Sequence, residues 1–137
     1  MIIQILSQFE LNKSKNYLSK ITFKIKGIGY KNIFGIEEGH AFKNNSYPNE
    51  IYINGDKQNN ITHSYYFNQT NNFVKLVWET TTLKSCWNMF RRCYNITEFD
   101  FSDFDSSKVK NTAGMFKYCS SLISLNLSNF KTSNLQV

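Results

Sequence analysis

Three cysteines (Cys86, Cys93, Cys119), two histidines (His40, His63) and the adjacent carboxylates Glu37 and Glu38 are the side chains through which this 137-residue sequence could do chemistry. Thiolates and imidazoles hold zinc, and a thiol beside an imidazole makes a nucleophile. Neither pattern occurs at the needed spacing. Cys86 and Cys93 lie too far apart for a zinc-ribbon hook, and each histidine is isolated in loop-like sequence with no cysteine or carboxylate at ligand spacing. An enzyme built on His40, His63 and the Glu37–Glu38 loop would need those groups to converge in one pocket. Gly27-Ile28-Gly29 lacks the third glycine and the following helix of a dinucleotide fold. Phosphate loops, nucleophile elbows and metalloprotease motifs are missing too, so no catalytic residue, metal or cofactor is expected.

Charge points elsewhere only weakly. The net charge is +6, which by itself suggests an anionic partner. The excess is nearly all lysine and is scattered; only Arg91 and Arg92 offer the planar fork suited to phosphate. With 18 Asn, 14 Lys, 12 Phe and 8 Tyr against 6 Gly and 1 Pro, the composition follows A/T-rich codons, so the charge reads as codon drift on a solvated surface. Nucleic acid is therefore not expected as a partner, and weak binding to nucleic acid or an anionic surface through Lys24, Lys26 and Lys31 is kept as a minor alternative. No apolar run is long enough for a transmembrane helix. Residues 1–19 form a separate N-terminal segment. Met1–Leu6 is apolar but turns polar before a signal-peptide core of about 7–15 residues could form, so the leader is incomplete or truncated.

The elements that must position these residues are β-strands. Lys20–Lys26 alternates Ile21, Phe23 and Ile25 against Thr22, Lys24 and Lys26, the period of a half-buried strand. Lys31–Phe34, Glu50–Asn54, Lys57–Ile61, Ser64–Phe67 and Asn72–Trp78 complete five or six short strands, and Asn54-Gly55 is a strong two-residue hairpin signal. Residues 20–83 therefore predict a small antiparallel β-sandwich-like cap.

Residues 84–137 contain an internal repeat. At an offset of 26 residues Met89-Phe90 falls on Met115-Phe116, Cys93 on Cys119, Ser102 on Ser128, Phe104 on Phe130 and Ser107 on Ser133. Ile96, Phe99, Phe101 and Val109 meet Leu122, Leu125, Leu127 and Leu135. A period in the twenties with this core is the mark of a leucine-rich-repeat solenoid, here two coils at 84–111 and 112–137. Stacked coils bring equivalent positions about 4.8 Å apart, so each core side chain lies on its own copy. The expected core is Met89, Phe90, Cys93, Ile96, Phe99, Phe101 and Phe104 with Met115, Phe116, Cys119, Leu122, Leu125, Leu127 and Phe130. Cys93 and Cys119 share one framework position and should stack as small buried apolar groups.

The stretches Cys93–Val109 and Met115–Asn134 resemble the BspA-like leucine-rich-repeat surface proteins, whose unit is M-F-x-x-C-x-x-L-x-x-L-D-L-S-x-F. The resemblance is specific over about 50 residues, because the Met-Phe, Cys and Leu-x-Leu-Ser-x-Phe elements occur together and twice. It implies a non-enzymatic module that binds a protein or glycan at a cell surface or outside the cell. The polar positions flanking the inward residues, Glu98, Asp100 and Ser102 over Ser124, Asn126 and Ser128, form the expected contact face. Two coils are fewer than a solenoid normally needs. The β-rich part should then cap them, with Phe73, Leu76 and Trp78 at the junction, and the chain is expected to be a fragment, a truncated gene copy or a self-associating unit. The remaining alternative is a non-functional remnant of a repeat gene.

Overall fold

The computed structural model describes residues 19–79 and 83–133. The leader-like residues and Leu135 lie outside this range. The chain is mainly β, with strands β1 (Ser19–Lys26), β2 (Gly29–Asn32), β3 (Glu50–Ile53), β4 (Asp56–Lys57), β5 (Ser64–Phe67), β6 (Asn71–Trp78), β7 (Ile96–Asp100) and β8 (Ser124–Asn126). Six of them form one sheet in the order β4-β3-β6-β1-β7-β8, while β2 and β5 pair as an antiparallel ribbon. Among the described residues no helix is long and apolar enough to cross a membrane.

Alternation decides which face of each strand is covered. Ile21, Phe23 and Ile25 of β1 and Val74, Leu76 and Trp78 of β6 are buried, each stabilising the fold by about 1.5–3 kcal/mol. Asn72 shares that inner face, and its amide is satisfied by the carbonyls of Gln69, Ile25 and Gly27. The Asn54-Gly55 signal is a true two-residue turn: Ile53 pairs with Asp56, and both turn residues have positive φ, 52° and 93°.

The N-terminal region departs from the expected sandwich. Of the expected strand Lys57–Ile61 only Lys57 is in β4, because Gln58-Asn59-Asn60 offers no apolar side chain to hold an inner face. Among the described residues the second sheet is only the two-stranded β2–β5 ribbon. The inner face of the six-stranded sheet is filled instead by aromatic side chains from irregular segments: Phe34 stacks on Tyr47 at 4.7 Å and lies near Phe90, which meets Phe23 edge-on at 5.8 Å.

The 26-residue repeat is present in the backbone itself. β7 and β8 run parallel in the register Glu98↔Ser124, Phe99↔Leu125, Asp100↔Asn126, and Ser85 bridges Asn111 in parallel. The N–H groups of Cys86, Asn88, Phe90 and Arg92 donate to the carbonyls of Asn111, Ala113, Met115 and Lys117, sewing the Met-Phe turns together. Left-handed residues recur at the same offset, Asn88 over Gly114 and Arg92 over Tyr118. Sequence identity at the framework thus reproduces turn geometry as well as apolar spacing.

The two halves share a sheet. β1 lies between β6 and β7 and pairs antiparallel with both, so one hydrogen-bonded sheet joins the N-terminal strands to the repeats. Leu76 and Trp78 are buried at this junction, and Trp78 meets Phe104 edge-on at 5.7 Å. Phe73 does not join them. Being odd in a strand whose even residues point inward, it sits on the opposite face, 46% exposed.

Candidate functional site

One face of the six-stranded sheet packs on the core and the other is open. Strand pairing sets two rows of side chains across the open face: Phe73, Lys24, Glu98 and Ser124 in one, and Tyr52, Lys75, Thr22, Asp100 and Asn126 in the next. Glu98, Asp100, Ser124 and Asn126, four members of the expected contact ladder, therefore adjoin residues from the N-terminal strands. Thr22, Lys24, Phe73 and these four line a shallow depression of about 250 Å3. Ser102 and Ser128 lie just past the ends of their strands and outside the depression, where their backbone N–H groups donate to Asp100 and Asn126.

The polar groups here are held in place. Lys24 Nζ stands 2.9 Å from Glu98 Oε2. Asp100 Oδ1 accepts hydrogen bonds from Ser102 N at 2.8 Å and Asn126 Nδ2 at 3.1 Å. Bonds from the Ser102 backbone and hydroxyl, with a further one from Asn126, hold the Asp100 carboxyl below its ordinary range. Lys75 Nζ sits 4.2 Å from the centre of the Tyr52 ring, whose hydroxyl donates to Glu50. The outcome is a flat platform offering an exposed aromatic ring, fixed carboxylates, an amide and an ammonium. Such groups stack on, and hydrogen-bond to, a polar ligand.

The other candidate groups do not assemble. Burial pushes the Cys86 thiol up to about 12 and raises that of Cys93 well above its usual value; Cys119, half-buried, is pushed up to about 11. Protonated thiols are poor nucleophiles and poor metal ligands. Cys119 Sγ donates to the Phe90 carbonyl, which fits a packing role at the shared framework position. Both histidines are exposed, with different neighbours: His40 bonds the Glu38 carbonyl, whereas the His63 carbonyl accepts from Ile33. Glu37 is committed to Arg91 and Arg92, and the Arg91 hydrogen bond is the main reason its carboxyl lies below the usual range. Among the described residues no three His, Cys, Asp or Glu side chains come together as metal ligands do.

The expected repeat core divides by coil. Met89, Phe90, Cys93, Ile96, Phe99, Phe101 and Phe104 are buried, as is Met115. Phe116, Cys119, Leu122 and Phe130 are half-covered, and Leu125 and Leu127 are 39% exposed. These two leucines are therefore not core residues here: each coil is closed by the next, and among the described residues nothing lies on the second. Met115, Phe116, Leu127 and Phe130 line an open groove of about 510 Å3 there.

Comparison with known proteins bears on this part of the chain. A family model described as "Mycoplasma protein of unknown function, DUF285" matches residues 39–137. The chain belongs to this family. No curated protein and no solved structure matches it. The DUF285 match takes in β3 to β8, both repeats and five of the six strands of the open-faced sheet; β1, which supplies Thr22 and Lys24, precedes it.

Reading the second coil's ladder alone would have missed the N-terminal half of the platform. The missing signal was available for Phe73, since strand parity separates it from Leu76 and Trp78. Nothing local in the sequence reveals that β1 is the neighbour of β7.

Proposed function

We propose that this DUF285 protein is a non-enzymatic binding module: two leucine-rich-repeat coils of BspA-like type stacked on a β-rich cap, using the open sheet face to hold a protein or glycan at a cell surface. The observation that carries the proposal is the depression in which Glu98, Asp100, Ser124 and Asn126 from the coils adjoin Phe73, Lys24 and Thr22 from the cap. A platform mixing one bare ring with fixed hydrogen-bonding groups suits a ligand with both apolar and hydroxyl or amide surface, as sugars and peptides have. The thiols, two buried and one half-buried, are all held protonated, and among the described residues the two histidines and Glu37 do not gather at this face, which favours binding over catalysis. Lys24 is paired with Glu98, which weakens the case for an anionic surface as the ligand of this face.

A glycan and matrix-protein array probed with the full chain and with Phe73→Ala tests this reading. Selective binding by the wild type that falls by roughly tenfold in the variant, the loss of about 1–1.5 kcal/mol of ring contact, is expected. Wild-type binding to nothing on either array would sink the proposal and favour the repeat-gene remnant.

A further inference from the structure

The chain's only two arginines, adjacent in a sequence that otherwise uses lysine, meet at one place on the surface. Arg91 and Arg92 belong to the first Met-Phe turn and Lys117 and Tyr118 to the second, and parallel stacking superimposes them. The Arg91 and Arg92 guanidinium carbons lie 5.3 and 5.1 Å from the centre of the Tyr118 ring, and Lys117 Nζ lies 5.2 Å from it. Three cations thus surround one half-exposed ring, and among the described residues Glu37 is the one carboxylate paired with them: it accepts from Arg91 Nε and from Arg92 Nη2 at 3.0 Å. Lys117 makes no ion pair among the described residues. The Arg92 Nε–H is buried without an acceptor, an arrangement that costs free energy until an acceptor arrives.

We infer that this cluster is an oxyanion site, and that its ligand is the sulfate group of a sulfated saccharide. A local excess of positive charge attracts an anion, the guanidinium N–H groups not taken by Glu37 match a tetrahedral oxyanion, and the Arg92 Nε–H, buried and unpaired, gains an acceptor when the side chain turns outward to a ligand. The exposed half of Tyr118 gives a sugar ring an apolar contact beside the charge, which favours a saccharide over an acidic peptide. The cluster is formed by turns and does not draw on the open sheet face, so it stands or falls separately from the platform around Phe73.

The test is a titration of the full-length, isotope-labelled chain followed by the Arg92 Nε–H and Tyr118 amide resonances, with inorganic sulfate and a sulfated heparin-type oligosaccharide as probes and polyglutamate as the competing chemistry. Saturable shifts at these two positions are expected. Lys117→Gln, which alters only an exposed side chain, should weaken sulfate by about fivefold, and Glu37→Gln should tighten it by a similar factor as the internal counter-ion is lost. Phe73→Ala should leave the titration unchanged. Shifts that ignore both charge variants, or polyglutamate binding as tightly as the sulfated oligosaccharide, would overturn the proposal.

Discussion

The two coils carry one framework and have unequal fates. Phe101 is fully buried and Leu127, at the same position one coil later, is 39% exposed; Phe99 and Leu125 differ in the same way. Their hydrogen-bonded turns are alike, since Met89 and Met115 donate to Cys86 and Thr112 and Cys93 and Cys119 donate to Phe90 and Phe116. A repeat motif therefore specifies the path of the chain locally, whereas burial comes from whichever neighbour lies on it.

The sharpest way to break this comparison is truncation of equivalent residues. Phe101→Ala should cost about 3–5 kcal/mol in urea unfolding, and Leu127→Ala, losing a side chain still partly in water, less than about 1.5. Equal losses would mean that the second coil is covered in solution. Gly114→Ala comes next. Its φ of +67° is strained for alanine, and the new Cβ would lie 2.1 Å from Asn88 Oδ1, so a loss of about 1–3 kcal/mol is expected at the turn joining the coils.

The exposed leucines also make a prediction about association. A strand edge beside an open apolar groove pairs readily with another chain. Sedimentation should show concentration-dependent self-association that Leu127→Lys abolishes. A wild-type monomer at high concentration would remove self-association from consideration.

The smallest effect concerns Asp100 and its counterpart Asn126, which accept the same hydrogen bond from the serine two residues on. Asp100→Asn should change stability at neutral pH by less than about 0.5 kcal/mol. It should also flatten the acid limb of the stability curve. The folded-state carboxyls of Glu37, Asp100 and Asp105 titrate below their ordinary values, so the unfolded chain binds more protons as acidity increases. Their contribution is present at neutral pH and is lost as the pH falls below about 4. An unfolding series at several acidic pH values in the two proteins measures the difference.

Much of the architecture was legible because it is written as period. Alternation in Ile21, Phe23 and Ile25 marks β1, Asn54-Gly55 marks a turn, and the offset of 26 marks the pairing of β7 with β8. What escaped was set by partners distant in sequence. The pairing of β2 with β5 and the insertion of β1 beside β7 depend on which surfaces meet, which no local window contains. The platform was half-legible for the same reason: Glu98, Asp100, Ser124 and Asn126 follow from the repeat, but Phe73 and Lys24 reach it only through the order of the sheet. Arg92 and Tyr118 took the left-handed conformation without the glycine or asparagine that announces it at Asn88 and Gly114.

The position of β1 also imposes a direction on folding. Residues 19–26 pair with residues 96–100, so the first coil gains its flanking strand only after the intervening chain has closed a long loop, an unfavourable step in entropy. With that strand seated, β7 offers β8 a formed edge in parallel register, so pairing is relayed from β1 through β7 to β8 and the second repeat leans on a strand that the first has already fixed.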